Sequence, residues 1–147
     1  LKGFAAACLI FAVPDILKDS IKYVNLQLLF GLLAVLGHLF PLFAQFRGGK
    51  GIATLFGMLI GIHYPSALVC LGIFLIVLLT TKYVSLSSIL TALSFPLSII
   101  FIFKAHEPLF IAFGISVAIL VVLTHQKNIK KLIEGTENKA KLFKKNT

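Results

Sequence analysis

Charged residues are scarce in this chain, and acids are the scarcest. Asp and Glu together number five in 147 residues, and all charged types make up 13%. A soluble domain carries about a quarter. The deficit falls in long uncharged blocks, and 59% of the residues are hydrophobic. That excludes an ordinary soluble globule and predicts an all-α integral membrane protein, a helical bundle. Acids this few, mostly in turns on one side, give no metal cluster. Cysteine is also sparse: Cys8 and Cys70 both sit inside apolar runs, with neither disulfide nor metal-ligand spacing. They are expected to be buried small hydrophobes. No 20–50-residue repeat and no low-complexity linker is present, so residues 1–147 read as one membrane domain. Within it, 1–124 hold spans and short loops, and 125–147 form a lysine-rich tail.

The net charge is +9. In a soluble chain this would suggest a nucleic-acid partner. Here the charges flank apolar runs, so a bilayer is the expected partner and nucleic acid is not.

Five apolar runs can be traced. The first, 3–13, has 11 residues, and a membrane helix needs about 20. It reads either as a signal-peptide core behind Lys2 or as the tail of a span that begins upstream. The others cover 26–46, 52–81, 84–103 and 109–124. Run 52–81 is too long for one span, about 45 Å as a helix against a core of about 30 Å. His63-Tyr64-Pro65 interrupts it, and proline disfavours helix in the residue before it.

Charge decides between one span and two. With a break and a cytoplasmic N-terminus, the inner segments hold Lys2, Arg47, Lys50, Lys82 and seven tail lysines against Glu134 and Glu137. The outer segments hold Lys18, Lys22 and Lys104 against Asp15, Asp19 and Glu107. Without a break, Arg47 and Lys50 would lie opposite the tail, against the positive-inside rule. About six spans with both ends cytoplasmic are therefore expected. His63 and His106 then fall in outer turns and should be solvated.

Three polar clusters fall on the inner face. Gly48, Gly49 and Gly51 surround Lys50, beside Arg47 and just before Thr54. Glycines let successive N–H groups converge on an anion, and the next helix begins there with its dipole favouring phosphate. Ser or Thr would have to follow the lysine in a Walker A loop, and Gly51 stands there instead. The plain alternative is a flexible turn with orienting charges. His38, inside the preceding span, is a site candidate because ionisable residues there are costly. Ser85 and Ser88 could cap a helix or donate to a phosphate. His125 and Asn128 are three apart and share a helical face, where an imidazole and a carboxamide can orient a hydroxyl. A basic tail lying on anionic headgroups is the alternative there.

Taken together, the segments GHLFPLFAQFRGGKGIAT (37–54), TKYVSLSSI (81–89) and HQKNIKKLIEGTENK (125–139) resemble the bacterial acyl-phosphate-dependent glycerol-3-phosphate acyltransferases, the PlsY family. The resemblance implies seven helices in the complete fold, and acyl transfer from acyl phosphate to glycerol 3-phosphate in phospholipid synthesis at the bacterial inner membrane. It implies that Gly48, Gly49, Lys50 and Gly51 hold phosphate and that Ser88 and Ser85 line the pocket. His125 and Asn128 would stand beside the reacting groups, and Gly135 and Glu137 would shape the last loop. The family has an earlier cytoplasmic loop rich in Gly, Ser, Asn and Arg, and nothing here matches it. By the resemblance the chain is N-terminally truncated, lacking the first helix and that loop. This fits a short first run with no initiator Met better than a signal peptide does.

No Ser-His-Asp arrangement and no reactive cysteine is evident, so a covalent acyl-enzyme is not expected, nor is a cofactor. A monomer is expected. A transporter of an anionic or phosphorylated solute is the reading from a different class. It would more often show an inverted repeat and mid-membrane breaks, which this sequence lacks. An inactive fragment of the acyltransferase is a third.

Overall fold

The computed structural model describes residues 20–39 and 50–140, together with Ala5 and Cys8. Within residues 20–39 and 50–140 six helices follow in order: α1 Ser20–Leu39, α2 Ile52–Ile62, α3 Tyr64–Thr81, α4 Val84–Leu97, α5 Pro108–Thr124 and α6 Gln126–Ile133. The π-helical turn Ser98–Ile102 extends α4. The described residues contain helices and no strand, as lipid requires of a span whose backbone must satisfy itself.

The long run 52–81 is broken at His63, which ends α2 and caps α3. Its Nδ1 accepts the Ser66 amide N–H at 3.3 Å and lies 2.7 Å from the Ser66 hydroxyl. The ring also packs edge-on against Phe103, with centroids 4.9 Å apart. The expectation of a solvated His63 is therefore corrected. It is half-buried because a proline-started helix leaves amides unpaired, and an adjacent acceptor is well placed to satisfy one. His106 is exposed, as expected.

Among the described residues two helical stretches, Tyr64–Thr81 and Val84–Ile102, are long and apolar enough to cross a membrane. Pro108–Thr124 with Gln126–Ile133, bent by 62°, counts as a third when taken together. Helix α2, at 11 residues, measures about 17 Å and does not reach across a core of about 30 Å. Six spans were expected; α2 is too short to be one of them alone, and run 3–13 lies almost wholly outside the described residues. Helix α1 starts six residues before the apolar run it was expected to match. Hydropathy marks the lipid-facing stretch, whereas the backbone stays helical to the interface.

The outward faces are apolar. Leu68, Ile76, Leu79, Phe101 and Ile119 are each more than half exposed. So much uncovered hydrophobic surface is what a bilayer accepts and water does not. Inward, α3 packs mainly on α4 and α4 on α5. The core joins Leu28 and Val35 of α1 to Met58, Cys70, Phe95 and Val121. Close approach depends on small residues, as is usual between membrane helices. The Met58 side chain fills the space that a Cβ on Gly31 would need, and a Cβ on Gly114 would meet Ile99 at 3.0 Å. Cys70 is buried as expected, while Cys8 is only half-buried.

Candidate active site at the helix-bundle rim

Alternating helix directions bring three chain segments to one rim: Lys50–Gly51 before α2, the turn between α3 and α4, and the α5–α6 junction with the loop after it. They open onto a single cavity of about 620 Å³. Its mouth is polar, lined by Lys50, Ser85, Ser88, His125, Asn128 and Glu137. Its inner end is apolar, lined by residues such as Leu59, Cys70, Phe74, Phe95, Phe113 and Val117.

Gly51 caps α2 from the left-handed region, φ 74°, which glycine adopts at little cost. Among the described residues no side chain caps this helix, and Gly51, Ile52 and Ala53 line the cavity. The N-terminus of α2 thus faces the cavity beside the lysine, an arrangement suited to an anion. Lys50 as a residue is exposed, yet burial of its ammonium end holds its pKa below the ordinary lysine value. The Glu137 carboxylate opposes that shift and Lys131 adds to it.

His125 stands at the bend between α5 and α6 and is 1% exposed. Its Nδ1 lies 2.8 Å from the Val121 carbonyl oxygen. A carbonyl can only accept, so Nδ1 carries the proton and Nε2 keeps the lone pair. Burial depresses the imidazole pKa most. The Val121 bond pulls it up, Lys50 pushes it down, and Glu137 raises it. The ring is therefore held neutral, the form in which a histidine can take a proton.

Asn128, one turn further along, donates from Nδ2 to Glu137 Oε1 at 2.9 Å, and the Ser85 hydroxyl donates to the same oxygen at 3.0 Å. Because its amide nitrogen is engaged, the Asn128 oxygen is left as an acceptor. The Asn128 bond is the chief cause that holds the Glu137 carboxyl below the usual carboxylate range. Desolvation opposes it, and Ser85, Lys131 and Lys50 add to it.

The last loop is shaped to deliver Glu137. Gly135, φ 69°, ends α6, with its N–H donating to the Leu132 carbonyl and the Thr136 N–H to that of Lys131. That bond pair is the Schellman arrangement, and it reverses the chain. Beyond Glu137, Lys139 lies over the Tyr83 ring at 5.7 Å, and the Ala140 N–H donates to the Lys82 carbonyl at 2.7 Å.

Residues 1–135 match the family model described as glycerol-3-phosphate acyltransferase. The chain belongs to the glycerol-3-phosphate acyltransferase family. The glycerol-3-phosphate acyltransferase of Chlorobium chlorochromatii is 41% identical over an alignment covering 95% of this chain and 71% of that protein. The one from Salinibacter ruber is 39% identical, covering 97% and 67%. Among solved structures, PlsY (YgiH), an integral membrane glycerol 3-phosphate acyltransferase, superimposes in its lysophosphatidic acid form with a TM-score of 0.78 at 32% identity. Its glycerol 3-phosphate form gives the same TM-score at 28% identity. Each match covers 93% of this chain and 66% of that one, so the chain spans just under two thirds of those structures.

Of the residues that sequence reasoning singled out in this family member, seven meet at the cavity: Lys50, Gly51, Ser85, Ser88, His125, Asn128 and Glu137. Thr54 is buried in the first turns of α2 and does not line it. Gly135 is exposed and also stands outside it, acting on the loop instead. Arg47, Gly48 and Gly49 lie outside the described residues, as does the side chain of His38, which falls near the end of α1. The serines do not cap α4. Ser87 and Ser88 donate to carbonyls four residues back, and Ser85 reaches the last loop. Sequence reasoning missed the apolar half of the cavity. One linear trace of it is Ser85, Ser88, Ala92 and Phe95 at helical spacing, polar at one end and aromatic at the other.

Proposed function

We propose that this membrane protein transfers a fatty acyl group from acyl phosphate to glycerol 3-phosphate, giving lysophosphatidic acid and inorganic phosphate. The observation that carries the reading is one cavity with two chemistries. A cationic, hydrogen-bonding mouth suits two phosphorylated substrates, and an apolar interior suits a chain of methylenes. Acyl phosphate fits as donor because both ends of such a molecule find their complement in that one space.

In the proposed reaction the glycerol hydroxyl oxygen attacks the acyl carbonyl carbon. A new ester C–O bond forms, the bond from that carbon to the phosphate oxygen breaks, and phosphate departs. The hydroxyl proton ends on the departing phosphate, directly or through the neutral His125 imidazole. Lys50 and the N–H groups opening α2 neutralise charge on phosphate, which a good leaving group needs more than it needs an acid. Asn128, fixed by Glu137, orients the hydroxyl, and holding both substrates in line supplies much of the remaining acceleration. No residue forms a covalent intermediate.

In this reading the mouth faces the cytoplasm at the bacterial inner membrane, supported by the excess of positive charge in the segments on that side, and the chain acts as a monomer. The test is to give membranes carrying this chain labelled glycerol 3-phosphate with either acyl phosphate or acyl-CoA. Label should enter lysophosphatidic acid with acyl phosphate and not with acyl-CoA. Equal use of both donors would remove the role assigned to the phosphate pocket.

A further inference from the structure

The inner end of the cavity carries aromatic rings. Phe95 of α4 and Phe113 of α5 both line it, and they meet edge-on with centroids 6.4 Å apart. Behind them Phe95 contacts Phe110 edge-on at 6.1 Å, and Phe110 contacts His63 at 5.7 Å. His63 in turn packs on Phe103. Phe103, Phe110 and His63 do not line the cavity. They continue the ring stack to the opposite rim of the bundle, so the space ends at Phe95 and Phe113. Phe95 is 3% exposed, and Gly114 lets the α5 backbone close on Pro96 behind it. The floor is therefore backed by packed matter and not by a mobile side chain.

We infer that Phe95 and Phe113 fix the length of acyl chain this site accepts. Helical rise gives the ruler its scale. His125 to Phe113 is about 18 Å along α5, and Ser85 to Phe95 is about 15 Å along α4. A zigzag chain of C–C bonds near 1.5 Å advances about 1.25 Å per carbon. A chain of about 12 to 14 carbons thus extends from the polar mouth to the rings. A longer one must fold back or leave between the helices, losing contacts with the cavity wall. The α5 face toward the cavity carries Val121, Val117 and Phe113 at four-residue steps, so each step marks about 6 Å of depth.

This inference rests on the function proposed above for its substrate, and its test separates the two. Membranes carrying the chain, Phe113→Ala or Val117→Phe are assayed with acyl phosphates of 10 to 18 carbons, and kcat/KM is plotted against length. Phe113→Ala opens the floor and should move the optimum up by about two to four carbons. Val117→Phe raises the floor by one helical turn and should move it down by about four. Non-reacting alkyl phosphates of 8 to 18 carbons provide a second readout as stabilisers against heat, with the same shifts in best length and no turnover required. Opposite shifts in either readout support the ruler. A flat profile from 14 to 18 carbons in the unmodified chain, or one optimum shared by all three proteins, overturns it. If no acyl phosphate reacts but the alkyl phosphate optima still shift, the transferase reading falls and the ruler stands.

Discussion

The mouth of the cavity and its inner end are built by opposite means. The mouth takes its residues from helix ends and loops and holds them by directed bonds: Glu137 to Ser85 and Asn128, His125 to Val121. The inner end takes its residues from helix middles and holds them by packing, as in the Phe95, Phe110 and Phe113 cluster. Directed bonds set geometry and charge, so damage at the mouth should alter the chemical step alike for every acyl chain. Packing sets volume, so damage inside should alter which chain is accepted. The largest effect belongs to Lys50→Ala at the mouth. Losing the lysine from the anion site should cost about a hundredfold or more in kcat/KM. The factor should be the same for 10-carbon and 18-carbon acyl phosphates. Lys130→Ala, whose ammonium lies 3.8 Å from Glu134 on an exposed helix face, should stay within about twofold. A Lys50 defect that grows with chain length would erase the division between the two regions.

The two regions also differed in how far the sequence disclosed them. The mouth was legible because its chemistry needs particular residue types at local spacings. A lysine among glycines and a histidine three before an asparagine each mark a loop or a helix face. The helices were legible from hydropathy, including the break at His63. The inner end was not legible, because Phe, Leu and Val facing a cavity look the same in sequence as those facing lipid. Leu75, which faces outward, and Phe74, which lines the cavity, are neighbours. Two roles were also hidden, the first by distance. Ser85 and Glu137 are 52 residues apart, and no spacing rule pairs them. His63 looked like a turn residue, and only its Ser66 bonds and aromatic neighbours make it a cap.

A smaller effect tests the neutral histidine at the mouth. Burial lowers the His125 pKa below its ordinary 6.5. Above pH 6.5 the imidazole is neutral in folded and unfolded chains alike. As pH falls through 6.5, the unfolded chain takes up a proton that the folded one refuses, so stability declines until the folded pKa is passed. Proton transfer through a neutral imidazole should persist below pH 6.5, with an acid limb lower than that of an exposed histidine. His125→Gln should cost about tenfold to a hundredfold at neutral pH and remove that limb. Both proteins share the titration of the substrate phosphates, near pH 6, so the difference between their profiles isolates the ring. Rate profiles from pH 5 to 8 that superimpose after scaling would mean that the ring carries no proton in the rate-limiting step.

Among residues that shape the site, the smallest effect is expected at Gly135, which does not line the cavity. A Cβ built there meets nothing within 4 Å, so crowding cannot account for any loss. What remains is the backbone: φ 69° costs an alanine about 1–2 kcal/mol, and costs an asparagine less. Gly135→Ala should therefore lower activity by a few fold, and Gly135→Asn by less, at every chain length. The route is short. Gly135 reverses the chain after α6, and Glu137 follows two residues later to accept from Ser85 and Asn128. If the turn relaxes, the carboxylate shifts and the Asn128 amide loses the partner that orients it. The acyl-length optimum, set about 15 Å deeper by Phe95 and Phe113, should not move at all. A Gly135→Ala protein with an altered optimum would couple loop to floor. Equal activity in the alanine and asparagine variants would show that the left-handed turn is not what holds Glu137 in place.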